Sequence, residues 1–296
     1  MKVLIIGGSG VIGYNILKDF LHDKIDLRFT YFKNKPPISG GGIYLDITKK
    51  NDTIKIIEQF NPDVVIHTVS ITNLDLCEND HNLADEVNVK GTSNVIEGCK
   101  KNRSKLIFLS TSAVFDGTKL EYFEDDEPAP VSYYGKTKKI SEDLVRNSKL
   151  PYLIIRIDQP YFWSEKWQHT NSVLRVLNSL RNKKLFKEII DWYNTPTFIP
   201  DIVIAIKSLI KIDCCGIYHV VGSDYINRYN WALNVAAIFE LDKNHILPIT
   251  SDILNLSAKR VNVNLNNQKF QKETKIIMKG IKEGLLAMVD KEKYYK

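Results

Sequence analysis

Apolar residues along this chain come in short runs separated by polar or helix-period stretches, a rhythm that predicts alternating strands and helices. Val3, Leu4, Ile5 and Ile6 form an apolar run, followed by glycines and then by a helical pattern over 14–21. Residues 27–32 and 43–46 read as a second and third strand, and a helix over 51–60 stops before Pro62, which cannot continue it. Val64, Val65 and Ile66 make a fourth strand, 83–101 a long helix, 106–109 a fifth strand and 152–157 a sixth. Apolar strands followed by helices indicate a parallel sheet buried on both faces, hence a Rossmann-type doubly wound α/β fold. After Arg156 the rhythm loosens. An aromatic, polar stretch runs from Tyr161, Phe162 and Trp163 to His169, with helices over 171–182, 200–212 and 229–239 and a strand at 217–221. This half is expected to form a smaller α/β substrate lobe over the sheet. The chain then divides into an NAD(P)-binding domain over 1–160 and a lobe over 161–296, with a soft boundary that leaves room for interleaved segments.

Composition narrows the classes. At 296 residues, 44% hydrophobic and 26% charged, the chain is not disordered, collagen-like or a disulfide-dense mini-protein. No apolar run nears the roughly 18 residues of a membrane span. The first run is too short for a signal-peptide core, so a cytoplasmic protein that binds no membrane is expected. The net charge of +6 suggests a polyanion, but residues 251–296 hold ten Lys/Arg against five Asp/Glu and so carry five of the six excess charges. Lys272, Lys275, Lys279 and Lys282 fall at helical spacing beside Ile276, Ile277 and Ile281. They read as the solvated side of an amphipathic helix, and no nucleic-acid partner is expected. Cys77, Cys99, Cys214 and Cys215 and the six scattered histidines show no metal-ligand spacing; reduced thiols and no metal site are expected.

The first candidate chemistry is the loop Gly7-Gly8-Ser9-Gly10-Val11-Ile12-Gly13 between the first strand and first helix. Glycines there permit a tight turn and close backbone approach, and a helix N-terminus offers free N–H groups to a pyrophosphate. Strand–loop–helix context makes a dinucleotide the expected ligand. NAD sites usually end the second strand on an acidic residue that takes the ribose 2′-hydroxyl. Here the sequence runs Thr30-Tyr31-Phe32-Lys33-Asn34-Lys35, with no carboxylate, so NADP(H) is favoured over NAD(H), with Lys33 beside the ribose phosphate.

The second is a separated constellation. Ser110-Thr111-Ser112 follows directly on the fifth strand, at the carboxyl edge of the sheet, where open α/β folds bind ligands. Tyr134 and Lys138 follow at i and i+4, on one face of a helix. An ammonium beside a phenol favours the phenolate, and such a tyrosine exchanges a proton with a carbonyl or alcohol oxygen that a Thr111 hydroxyl can hold.

These residues, with Leu45-Asp46-Ile47-Thr48, Asn61-Pro62-Asp63-Val64-Val65-Ile66, Thr72-x-x-Asp75-x-x-Glu78, Asn88-Val89, Ser110-Thr111-Ser112-Ala113-Val114-Phe115-Asp116-Gly117 and Tyr134-Gly135-Lys136-Thr137-Lys138, give a chain that resembles the extended short-chain dehydrogenase/reductases. Within them it is most similar to the dTDP-4-dehydrorhamnose reductases, to which the regulatory β subunits of methionine adenosyltransferase are related. The resemblance implies hydride delivery from NAD(P)H to the C4 carbonyl of a nucleotide-bound deoxysugar. Tyr134 would protonate the oxygen, Lys138 would hold the nicotinamide ribose and tune Tyr134, and Thr111 and Ser112 would contact substrate. The cofactor would lie against Gly7, Gly10, Val11, Ile12 and Gly13, with Asp46 and Ile47 at the adenine and Thr68, Val69 and Ser70 beyond the fourth strand. It also implies a nucleotide-sugar as partner and allows a homodimer. A non-catalytic NADP-binding subunit or a sugar-nucleotide epimerase are the alternatives. The chain departs from the reductase pattern at Ser112, Gln159, Trp192 and Val261, all on the sugar side.

Overall fold

The computed structural model describes residues 1–295. Seven parallel strands form the central sheet: β1 (Lys2–Ile6), β2 (Asp26–Tyr31), β3 (Gly42–Tyr44), β4 (Val64–His67), β5 (Lys105–Thr111), β6 (Tyr152–Ile157) and β7 (Gly216–His219). Their spatial order is β7-β6-β5-β4-β1-β2-β3. The order reverses between β1 and β4, the crevice at which such sheets bind ligands.

The period-2 geometry of β1 explains why both faces are apolar. Val3 and Ile5 point into one core with Ile16 and Leu17 of α1 (Val11–Phe20) and with Ile202 and Ile206 of the Ile199–Lys211 helix. Leu4 and Ile6 point into the other, with Ile57 of α2 (Lys50–Phe60), Val95 and Cys99 of the Gly91–Asn102 helix, and Val145 of the Tyr133–Arg146 helix. The expected doubly wound α/β fold is therefore the observed one.

The second half does not stay apart from the sheet. β7 pairs with β6, and the Ile199–Lys211 helix joins the first core. The helices Ser172–Arg181, Arg228–Ile238 and Ile281–Lys291 add to that same core, beside the parallel pair Phe186–Ile189 and Ile246–Ile249.

Two expected helices differ. The long helix after β4 contains a π-helical segment, Asp85–Lys90, ahead of the Gly91–Asn102 helix. The lysine-rich tail is not one helix: Gln268–Thr274 ends at Lys275 in the left-handed region (φ 61°), and a new helix starts at Ile281. Tertiary contacts overrule the helical spacing. Met278 is buried, the Lys279 amide and ammonium both bond Asp201 (2.7 and 2.8 Å), and the Ile281 amide bonds Asp224 (2.6 Å). Ile277, expected on the apolar side, is exposed.

One buried ion pair ties the sheet to the Tyr133–Arg146 helix. Arg156 of β6 donates through Nε and Nη2 to Glu142 (3.0 and 2.7 Å), both residues being 1% exposed. Removing one partner of such a pair strands the other charge. Arg156→Met is expected to destabilise the chain by about 3–5 kcal/mol, read as a lowered urea midpoint.

Candidate active site

The glycine loop is held by its neighbours rather than by its own sequence. Gly7 and Gly8 donate to Thr30 of β2, at Oγ1 (3.1 Å) and at the carbonyl (2.8 Å). Thr68 Oγ1 donates to the carbonyls of Ile6 (3.0 Å) and Gly7 (3.2 Å), so its hydroxyl fixes the loop from the β4 side. Gly7 has φ +94°, a conformation that L side chains rarely adopt. A Cβ on Gly13 would stand 2.2 Å from the Gly7 carbonyl oxygen, so α1 can approach the turn only through a glycine. At Gly10, by contrast, a Cβ would meet only Gly7 O, at 3.5 Å. Tyr14 is the first helix amide bonded to this loop (Gly10 O, 2.8 Å), leaving Val11, Ile12 and Gly13 as first-turn donors. Open space plus unspent N–H groups at the β1–β4 switch point fits a dinucleotide pyrophosphate.

The remaining sequence candidates for the cofactor divide into surface and core. Lys33 is exposed just past β2. Asp46 turns back to accept from the Thr48 amide (3.0 Å) and hydroxyl (2.7 Å). Ile47 is a core side chain, packed where a Gly91 Cβ would otherwise sit, 2.5 Å from its Cδ1. Val69 packs on the same core. Ser70 lies toward Tyr134 instead, donating to Asn88 (3.0 Å) and acting on the Tyr134 phenol.

At the carboxyl edge of β5, Thr111 caps the turn Ser112–Val114 by accepting from the Ala113 amide (3.2 Å), and it is among the neighbours that act on the Tyr134 phenol. Tyr134 and Lys138 sit on the Tyr133–Arg146 helix, whose first turn Ser132 caps at the Gly135 amide (3.2 Å). Both side chains are buried. The direction of the Tyr134 shift is opposite to the expected electrostatic tuning. Burial pushes the Tyr134 phenol above its ordinary value, with Thr111 and Ser70 pulling the other way. The Lys138 ammonium donates to the Leu109 carbonyl (2.7 Å) and stands 3.9 Å from the centre of the Phe108 ring. Burial pulls Lys138 down to about 7, opposed by the Glu142 carboxylate.

Several residues that hold this site carried no signal by themselves in the sequence. Asn88, inside the π-helical segment, bonds the Ile71 amide (2.8 Å), Ser70, the Ile71 carbonyl (3.1 Å) and Thr137 Oγ1 (3.0 Å). Its own carbonyl accepts hydroxyls from Thr92 (2.6 Å) and Ser141 (2.8 Å), locking the β4 segment to the Tyr133–Arg146 helix. The Ser112 hydroxyl, expected at substrate, donates to buried Asp158 (2.7 Å), which also receives the Thr195 amide (2.8 Å). Burial raises the Asp158 carboxyl above the usual carboxylate range, with Ser112 and the Thr195 amide opposing. Gln159 adopts φ +39° and accepts from Arg228 (2.9 Å). The Trp192 indole donates to the Val261 carbonyl (3.1 Å), and Arg260 pairs with Asp75 (2.6 Å). Two of the four departures, Ser112 and Gln159, thus sit at the ends of β5 and β6, and the other two, Trp192 and Val261, are joined to each other in the second half.

The Lys138 shift has a signed consequence. Between about 7 and 10.5 the unfolded chain binds a proton at this position that the folded chain has released, so the stability of the ligand-free protein rises with pH across that window. Lys138→Met is expected to flatten this rise, measured as urea midpoints at about pH 6 and about pH 9.

The chain is 31% identical to the dTDP-4-dehydrorhamnose reductase of Aggregatibacter actinomycetemcomitans over 250 residues, covering 81% of this chain and 78% of that protein. It is 28% identical to the methionine adenosyltransferase 2 subunit beta of Pongo abelii over 255 residues, 84% of this chain and 75% of that one. In shape it matches the dTDP-4-dehydrorhamnose reductase of Bacillus anthracis in complex with NADP, with a TM-score of 0.88 at 23% identity over 98% of this chain and 99% of that chain. A model of the RmlD substrate binding domain matches residues 1–294, nearly the whole chain. With the reductase fold and extended short-chain motifs already on view, that match makes the chain a member of the RmlD substrate binding domain family.

Proposed function

We propose that the protein uses NAD(P)H, with NADP(H) preferred, to reduce the 4-keto group of a nucleotide-activated deoxysugar. The observation that carries this is the placing of Thr111, at the carboxyl edge of β5, among the neighbours that act on the buried Tyr134 phenol, with Lys138 one helical turn on. A carbonyl oxygen seated between the two hydroxyls is held by Thr111 and protonated by Tyr134. The upward shift of the phenol suits that direction, because the proton must be on Tyr134 when the reduction begins. The bound nicotinamide supplies the hydride. Lys138, buried beneath the site, is placed to hold the cofactor's ribose, and Val11, Ile12 and Gly13 amides its pyrophosphate. The reductase of Bacillus anthracis, which this chain matches in shape, was solved in complex with NADP.

A second function is favoured by the substrate-side departures and by the similarity to methionine adenosyltransferase 2 subunit beta: a non-catalytic NADP-binding subunit. The two part cleanly in a panel of keto-sugar nucleotides followed by loss of NADPH absorbance. Turnover supports the reductase; NADPH binding without turnover on any keto-sugar, with co-purification of a larger enzyme, supports the subunit. In the reductase, Tyr134→Phe is expected to lower kcat by about 10²–10⁴-fold while NADPH affinity stays unchanged; unchanged turnover would remove Tyr134 from the mechanism. Lys33→Ala is expected to weaken NADPH binding several-fold and leave NADH binding as it was, measured by calorimetry.

A further inference from the structure

Between Phe162 and Asn171 the second half sends a loop back across the cofactor side of the first. Both ends are pinned: the Trp163 indole donates to the Met288 carbonyl (2.9 Å), and Asn171 donates to the Phe162 carbonyl (2.6 Å). The tip closes on itself, because Gln168 accepts from the Glu165 amide (3.0 Å) and donates its own amide to the Glu165 carbonyl (2.9 Å).

Four contacts then lay this tip over the dinucleotide end of the sheet. Gln168 Nε2 donates to the Ser9 carbonyl (3.0 Å), inside the glycine loop. Asn34, next to Lys33 beyond β2, donates to the Trp167 carbonyl (3.4 Å). The Trp167 ring meets Tyr14 of α1 edge-on at 5.7 Å, and Glu165 lies 3.9 Å from Lys18. The tip therefore touches both elements that flank the adenosine end of a bound dinucleotide: the turn after β1 and the segment after β2. Within it, Trp167 Nε1 is buried without a hydrogen-bond partner among the described residues. A buried indole N–H without an acceptor is costly, and a phosphate oxygen is an acceptor of the right kind.

We propose that residues 164–169 are a clasp for the adenosine-phosphate half of the dinucleotide, with Gln168 as the latch on the glycine loop and the Trp167 indole as a donor to a cofactor phosphate. The proposal rests on the nicotinamide cofactor of the preceding section but not on the sugar. The clasp belongs to the substrate half, so cofactor release requires that half to let go of Ser9.

The test uses the full chain and reads binding, not turnover. Trp167→Phe keeps an aromatic ring beside Tyr14 and removes the N–H together with the rest of the five-membered ring. It is expected to raise the Kd of NADPH and of the probe 2′,5′-ADP together, by about five- to tenfold, the loss of one hydrogen bond. Gln168→Ala is expected to speed NADPH dissociation in stopped-flow fluorescence by a similar factor, with the ligand-free urea midpoint unchanged. Wild-type affinity of Trp167→Phe for both ligands, or unchanged dissociation from Gln168→Ala, overturns the clasp. A wild-type chain that binds neither ligand overturns the cofactor assignment and the clasp with it. Absence of keto-sugar turnover with NADPH binding intact overturns only the sugar assignment.

Discussion

The ion pair between Glu142 and Arg156 sets the register on which the site depends. Tyr134, Lys138 and Glu142 follow one another at four-residue intervals on one helix, so a single stripe of that helix faces the sheet. Glu142 is fixed at the lower end of the stripe by Arg156 from β6 and by the Ser110 hydroxyl from β5 (2.5 Å). Arg156 is in turn held by His219 of β7 (3.3 Å). With the lower end pinned to three strands, Lys138 must lie beneath Leu109 and Phe108, and Tyr134 must arrive beside Thr111 at the strand ends. A buried ion pair contributes little net stability against an apolar alternative, but it admits only one register. The position of the phenol is the return on that restriction.

The same burial explains the protonation state of the site. In water a nearby ammonium favours a phenolate; in a closed apolar pocket desolvation of the charged form is the larger effect. Tyr134 is driven toward the neutral phenol and Lys138 toward the neutral amine, each by loss of water. His67, at the end of β4, is driven the same way, to about 3, by burial and by Lys138. The pocket thus tolerates little charge on Tyr134, Lys138 or His67. Spacing alone gave the right helix face for Tyr134 and Lys138 but the wrong direction for the phenol, because spacing carries no information on solvent.

What was legible in the sequence follows from what is local. Unbroken apolar strands, the glycine turn and the Tyr134–Lys138 interval are short-range features whose physics does not depend on distant partners, and the parallel sheet could be read from them. The tail failed for the opposite reason. Lysines at helical spacing are a local pattern, but Asp201 and Asp224, some sixty to eighty positions upstream, captured the backbone amides of Lys279 and Ile281 and ended the helix. Asn88 was visible only as part of a resemblance. Its work is done through five partners spread from Ser70 to Ser141, which no window along the chain can contain. The placement of β7 in the main sheet is likewise a matter of where residues 216–219 return to, not of what they are.

The substrate side shows why its departures cannot be judged one at a time. Ser112 lacks a carboxylate, yet its hydroxyl is bonded to one, supplied by Asp158 from the neighbouring strand end. That carboxylate also holds the Thr195 amide, so the position next to Thr111 is tied directly to the segment that follows Trp192 and Tyr193. Trp192 is bound at its indole to Val261, and the Tyr193 amide to Asn262 (2.7 Å). Two residues before Asn262, Arg260 crosses to Asp75. Ser112, Asp158, Trp192, Val261 and Arg260 therefore form one connected path around the cleft. A change at any of them is felt through the others, and substitutions along such a path are not additive. Three of the four departures, Ser112, Trp192 and Val261, lie on that one path, which is joined to Thr111 through Ser112, and the fourth, Gln159, follows Asp158 in the chain and is bonded to Arg228.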